Sequence, residues 1–291
     1  MKISWMNRTD TTLGVKQFLL LKGVSQRLYS EVKQQPQAFY RNEQPITPAA
    51  QVAPGDQITV VFPPERPDPQ LASSLHPLEV IYEDAHWLVI NKPAGLTSVP
   101  GPSNRTDTVV NRVKGRLEQA GSENLRPHLV TRLDRFTSGI MLIAKDRLAN
   151  NYATQQLADR TFHKEYLAIV SGRLTNQHDV ITLPLGRRPG EIARAVLTTG
   201  QPAQTEYWVE QQTATATVVR VQLQTGRTHQ IRAHFAALGH PLLGDQLYGG
   251  PMHAGMDRQA LHALRIEWFD PFCQQLRKFT APLPDDMLNY Q

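Results

Sequence analysis

An α+β fold is the class this sequence predicts, on three observations. Strand-like and helix-like stretches are mixed without a repeating strand–helix rhythm, which argues against a doubly wound parallel sheet. The run Ile140-Met141-Leu142-Ile143-Ala144, set off by Gly139, is apolar at every position and reads as a strand buried on both faces. No Gly-x-Gly-x-x-Gly follows a strand and no phosphate-loop lysine motif occurs, so a nucleotide cofactor is not indicated.

Residues 1–65 read as a separate small α+β unit. Leu13 to Lys22 carries apolar residues at helical spacing, with Thr12 placed to cap its start and Gly23 to end it. Ser25 is placed to cap a second helix, from Gln26 to about Gln34, on which Leu28 and Val32 lie one turn apart. Pro54-Gly55-Asp56 turns the chain into the alternating strand Gln57 to Val61. Pro63, Pro64, Pro67 and Pro69 mark a stiff linker, placed at 66–75, and a larger domain follows over 76–291.

That domain opens on a predicted hairpin, Leu78 to Tyr82 and Trp87 to Ile90, and the loop Asn91 to Gly95. Thr106 or Asp107 is placed to cap a helix with Val109, Val110, Val113 and Leu117 on its buried face. Arg112, Lys114 and Arg116 fall on its solvent face. His128 to Leu133 reads as a short strand and Asp134 to Gly139 as a turn. Asp146 is placed to cap a helix from Arg147 to about Ala158. Lys164 to Gly172 and Val218 to Leu223 read as strands. Residues 182–205 are punctuated by Gly and Pro and carry Arg187, Arg188 and Arg194. They read as a basic loop able to clasp a phosphate backbone, or as a plain hairpin. Thr228 is placed to cap a helix with Ile231, Phe235 and Leu238 as its buried stripe, ended by Gly239. His262 to Trp268 gives a last strand before a Pro-rich tail.

The 291 residues are 20% charged and 40% hydrophobic, a globular balance. A net charge of +5 permits a polyanionic partner without requiring one. A single cysteine, Cys273, forms no intrachain disulfide and builds no multi-cysteine zinc site. His229 and His234 lie five apart with no third ligand nearby, which disfavours a metal there. No apolar run reaches membrane-span length and no secretory signal opens the chain, so a cytoplasmic protein is expected.

The candidate for chemistry is Asp134, set between Arg132 and Arg135 and ahead of Thr137-Ser138-Gly139. An Asp in such a turn can simply cap backbone amides, with the arginines as its ion-pair partners. Equally, a carboxylate where a loop meets a buried scaffold is held still, as a reacting group must be. The stretch by itself leaves both readings open.

Taken together, Arg132-Leu133-Asp134-Arg135 and Thr137-Ser138-Gly139 resemble the signature of the RluA-type pseudouridine synthases. Three further stretches resemble that family's motifs, in the same order: Lys164-Glu165-Tyr166-Leu167-Ala168, Thr225 through Arg232, and Gly239 through Asp245. Lys92-Pro93 is also a family feature, and the resemblance spans roughly residues 75 to 285. Two positions depart from it: Thr131, where members often carry His, and Phe136, where they often carry an acid. Residues 1–65 more weakly resemble the alpha-L RNA-binding domain of ribosomal-protein relatives; an ordinary small domain with solvated lysines shares the pattern.

The resemblance implies a mixed, largely antiparallel sheet with flanking helices and a central cleft. It implies isomerisation of uridine in structured RNA, with neither cofactor nor metal. Asp134 would be the essential carboxylate, attacking the sugar or taking a proton from it. Arg232 would pair with it in a largely dry site and keep it ionised. Tyr166 would offer a ring for stacking and a hydroxyl for proton transfer. The uridine would be flipped out, with Arg132 filling the vacated space. RNA contacts would fall to Arg227, His229, Lys92, Arg187 and Arg188, and to Lys22, Arg27 and Lys33 of the N-terminal unit. Without the resemblance, Tyr166 reads as a half-buried strand tyrosine and Arg132 as a surface cation. Ribosomal RNA of the large subunit is expected rather than transfer RNA, with no membrane and no obligate protein partner. A reading of another class is an RNA-binding ribosome assembly factor with the same fold and no chemistry. An aspartate glycosidase would want a second carboxylate at a recognisable spacing, which is not found.

Overall fold

The computed structural model describes residues 1–252, 256–288 and 290. Two main hydrophobic cores lie along the chain. The first is built on an antiparallel sheet of four strands, in the order Lys2–Met6, Gln57–Val61, Phe39–Arg41 and Gln44–Ile46. Helices Val15–Leu21 and Gln26–Val32 bury Val15, Phe18, Leu19, Leu28 and Val32 in this core. Ser25 caps the second helix by accepting the Leu28 amide at 3.2 Å. Thr12 caps nothing: Leu13–Gly14 pairs with Gln51–Val52 instead, and Gly14 takes the helix N-cap.

This core also contains Leu148, from helix Arg147–Ala158 further along the chain. The Pro-rich segment between the two cores is pinned. Glu65 is buried between His128 at 2.8 Å and Arg147 at 3.0 Å. Lys114 is likewise buried rather than solvated, donating to the Leu71 carbonyl of that segment. Its helix, Val109–Gln119, is capped by Thr108 in a reciprocal box with Asn111, so the cap falls one residue beyond the two candidates.

The second core lies around a ten-stranded sheet. Across it run His178–Thr182, Gln204–Gln212, Ala216–Leu223, His163–Ser171, Leu261–Asp270, Ser138–Ala144, Trp87–Lys92 and Glu79–Glu83. Every neighbouring pair is antiparallel except one: Ser138–Ala144 runs parallel to Leu261–Asp270. Those two strands share only the register pairs Ser138–His262 and Gly139–Ala263, then part. Beyond that crossing Ser138–Ala144 pairs with His128–Leu129, and Leu261–Asp270 with Gln275–Thr280. A Cβ on Gly139 would lie 2.2 Å from the Ala263 carbonyl oxygen, and its φ is +112°. Only glycine lets the strands meet here. Ser138–Ala144 is buried at all seven positions, in agreement with its unbroken apolar run.

The expected strand His128 to Leu133 stops at Leu129. The Val130 and Thr131 amides both turn to the Leu142 carbonyl, which breaks the ladder and starts the loop that carries Asp134. The edge strands His178–Thr182 and Gln275–Thr280 were not anticipated. They are short and largely exposed, and their few apolar residues set up no clear alternation to announce them. Among the described residues no helix is long and apolar enough to cross a membrane.

Candidate active site

Asp134 stands on a loop fixed from both sides. Leu133 is buried, and its carbonyl and amide both bond the Ser98 hydroxyl, at 2.6 and 3.2 Å. The Arg135 carbonyl accepts the Gly95 amide at 2.9 Å. The turn closes by a bond from the Thr137 amide to the Asp134 carbonyl at 3.1 Å. Thr131, at the departure from the family pattern, caps the adjoining strand by accepting the Leu142 amide at 3.0 Å. Phe136, at the other departure, lies under the Arg135 guanidinium at 5.0 Å.

Lys92 belongs to this support and touches no groove. It is fully buried, and its ammonium donates to the carbonyls of Pro93, Leu96 and Arg135 at 2.8, 2.9 and 3.1 Å. This corrects its assignment to RNA: a side chain with no accessible surface contacts no RNA. Burial, then the charge of Arg258, push its ammonium down to about 7 against the pull of Asp134.

Arg232, on helix Gln230–Ala237, comes to Asp134 from across the sheet. Its guanidinium forks onto buried Asp245 at 2.7 and 2.8 Å and donates a third bond to Asp134 Oδ2 at 3.0 Å. Burial works against its charge, and the two carboxylates overcome that and raise it. Asp134 Oδ1 has no hydrogen-bond partner among the described residues, so the two oxygens differ: one is tethered and one is free. The Asp134 side chain is 25% exposed, so the expected dry site is a partly open one.

Thr228 does not cap the Arg232 helix. The N-cap is His229, in the left-handed region at φ +56°, with no capping bond from its side chain. The ring is turned to Asp134 instead, with Nε2 3.8 Å from Oδ2. His234 is buried and structural, bonded to the Thr205 hydroxyl and the Leu183 carbonyl, both at 2.9 Å. Leu238, expected in the buried stripe, is exposed.

Tyr166 lies on His163–Ser171 at a register shift against Leu261–Asp270, and such a bulge re-aims a side chain. It is buried, lines the groove beside Asp134, and keeps its proton: burial first, then the Asp134 charge, raise its hydroxyl well above the ordinary range.

The groove has a volume of about 550 Å³. Arg132, Arg135, Arg160, Lys164 and Arg227 line it, and Asp134 is its one acidic residue. A narrower recess at Asp134 is walled by Leu133, Tyr166, Leu223, Ile231 and Leu261. A further pocket, of about 460 Å³, is lined by Arg132, Arg187, Arg194 and Arg227 and by no acid. Arg132 and Arg227 are exposed and line all three spaces. Arg188 is exposed and turns to Glu191 at 3.8 Å instead. Lys22, Arg27 and Lys33 line neither groove nor arginine pocket. Arg27 is 91% exposed beside Glu31, and Lys22 lies over the Phe18 ring.

Three contributors were not singled out from sequence. Asp245 was quoted within a motif without a role, though a lone acid behind an apolar pair invites the question of its partner. Lys164 likewise stands in a motif without an assigned role, and Tyr248 carries no local signal; folding alone brings it here.

A profile described as RNA pseudouridylate synthase matches residues 86–237. The chain belongs to that family. A Bacillus subtilis relative named uncharacterized RNA pseudouridine synthase YjbO is 38% identical over 276 residues, covering 94% of this chain and 97% of the relative. Ribosomal large subunit pseudouridine synthase D of Nitrosomonas europaea is 38% identical over 242 residues, 80% of this chain and 70% of that one. Among solved structures, human RNA pseudouridylate synthase domain containing 4 aligns with a TM-score of 0.60 at 21% identity, over 72% of this chain and 90% of that one. That likeness concerns the fold. In this pseudouridine synthase the matched segment holds Asp134, Tyr166 and Arg232 and ends ahead of Asp245 and Tyr248.

Proposed function

We propose that the groove isomerises a flipped-out uridine in large-subunit ribosomal RNA, with Asp134 as the reacting carboxylate. The observation that carries this reading is the single acidic side chain in a groove whose other charged side chains are cations, with one oxygen tethered to Arg232 and the other unengaged. Isomerisation breaks the bond from uracil nitrogen to ribose, turns the base, and rejoins it through carbon. It needs no redox step and no group donor. Asp134 Oδ1 serves it either by attacking the sugar or by taking a proton from it.

Uracil is flat and largely apolar on its faces, which suits the recess of Tyr166, Leu223 and Ile231. Arg132, exposed where the three spaces meet, takes the place left by the extruded base. Tyr166 stays protonated at neutral pH, so it stacks on the base and donates a hydrogen bond, and the proton that the new carbon attachment loses in the last step leaves to water in the partly open site. The four-arginine pocket receives backbone phosphates, with Arg187 and Arg227 as contacts. Residues 1–65 act as an added RNA-binding module through Lys22, Arg27 and Lys33, in a cytoplasmic setting.

The test is to incubate the purified protein with total RNA from cells lacking it, then map pseudouridine. New pseudouridine in large-subunit ribosomal RNA is the expected result. Modification of transfer RNA alone would overturn the choice of substrate. Tight RNA binding with no isomerisation would make the protein an assembly factor.

A further inference from the structure

His229 and Tyr248 flank the reacting carboxylate, and none of the steps above uses the bond between them. The Tyr248 hydroxyl oxygen accepts the Arg194 backbone amide at 2.7 Å and lies 3.1 Å from His229 Nδ1. A backbone amide only donates, so the phenol's own proton remains to be placed. Nδ1 is its acceptor. The ring's other nitrogen, Nε2, faces Asp134 Oδ2 at 3.8 Å. With Nδ1 accepting, Nε2 carries the hydrogen and presents it to the carboxylate. The opposite tautomer would strand the phenolic proton and turn a lone pair onto an anion, each a cost in a half-buried site. Burial outweighs the attraction of Asp134 and leaves the imidazole below its ordinary value, hence neutral. The left-handed His229 backbone, unusual for a residue with a Cβ, holds the ring in this pose. The Tyr248 ring is steadied in turn by the Arg232 guanidinium, 5.0 Å above it.

We propose that His229, locked by Tyr248 as its Nε2–H tautomer, is a positioning residue that gives Asp134 Oδ2 a second, neutral donor. Together with Arg232 it reserves Oδ2 as the anchor and leaves Oδ1 to meet the ribose. A neutral donor fits this position because Arg232 already supplies a full charge. A second cation would stabilise the carboxylate further and blunt its reactivity. At 3.8 Å the donor faces Oδ2 from beyond hydrogen-bond distance, so its action as a donor requires the gap to shorten when RNA binds. This inference rests on the reading of Asp134 as the reacting group.

Two-bond proton–nitrogen correlation spectra of the protein labelled with nitrogen-15 histidine read the tautomer directly. His229→Gln assigns the resonance by its disappearance. The expected result is neutral His229 with hydrogen on Nε2. Tyr248→Phe keeps the ring over Arg232 and removes the hydroxyl. It should mix the tautomers and slow single-turnover isomerisation at saturating RNA by about tenfold, the worth of one neutral hydrogen bond. An Nδ1–H or doubly protonated ring in the unsubstituted protein would overturn the proposal. So would a Tyr248→Phe enzyme of full rate. The tautomer is measured without turnover, so these failures are separable from a failure of Asp134 itself, which would show as an active Asp134→Asn enzyme.

Discussion

Arg232 holds two carboxylates on one guanidinium, and the cost of losing it follows from that. Asp245 is 1% exposed, and removing its partner leaves a buried charge uncompensated. Arg232→Ala should therefore lower stability by ~3–5 kcal/mol, read from urea unfolding, as well as releasing Asp134 Oδ2. Arg232→Lys restores a charge but not the fork, so it should recover part of the stability and little of the single-turnover rate. Lys92 gives a prediction in pH. Its folded value is about 7, whereas an unfolded lysine titrates near ~10.4. Between the two the unfolded chain binds the proton and the folded chain does not, so stability gains as pH rises through that window. Unfolding midpoints should show the unsubstituted protein gaining on Lys92→Met over this range; a constant difference would contradict the account. Asp134 and Arg232 were legible because both stand in sequence motifs. Lys92 was misplaced because its end is fixed by carbonyls on two loops, one of them 43 residues away, and no local pattern says so.

At the scale of elements, the site depends on where one strand crosses another. Ser138–Ala144 and Leu261–Asp270 touch at two register pairs, and the Asp134 turn feeds directly into that contact. Gly139→Ala should drive a methyl into the Ala263 backbone and force a disfavoured φ, for a loss of about 3 kcal/mol or more. The unfolding midpoint checks this, and a near-neutral change would mean that the strands do not meet as described. Ser138–Ala144 was readable because burial on both faces leaves an unbroken apolar run. His178–Thr182 and Gln275–Thr280 were not, because a largely exposed edge strand is chosen by its partner's open hydrogen bonds and not by its own side chains. The helix at Arg232 was foreseen and its cap was not. His229 gives up the capping role to face Asp134, and a propensity argument has no means of weighing that exchange.

Across the whole molecule, the N-terminal sheet and helices are fastened to the larger sheet by helix Arg147–Ala158, by the Glu65–His128 pair and by Phe272, which packs against both cores. Leu148 of helix Arg147–Ala158 sits in the N-terminal core, and that helix's Tyr152 donates to the Lys22 carbonyl at 2.6 Å. Arg147 pairs with both Glu31 and Glu65. Leu157, at the far end of the same helix, lines the groove. Removing residues 1–65 should therefore bare Leu148 and lower the thermal midpoint of what remains, beyond any loss of RNA contacts. An unchanged midpoint would show the two parts to be independent. The mixing of strands and helices without a repeating rhythm made the α+β class readable. This docking was not, because a Pro-rich stretch looks the same whether it swings free or is pinned by a buried glutamate such as Glu65.

The central claim is that one oxygen of Asp134 reacts while the other is held. Asp134→Asn keeps the side chain's shape and removes the charge. Its single-turnover rate on the RNA that the unsubstituted enzyme modifies is the direct test. The account predicts no detectable pseudouridine, with RNA binding retained. Isomerisation at a rate near that of the unsubstituted enzyme would contradict it.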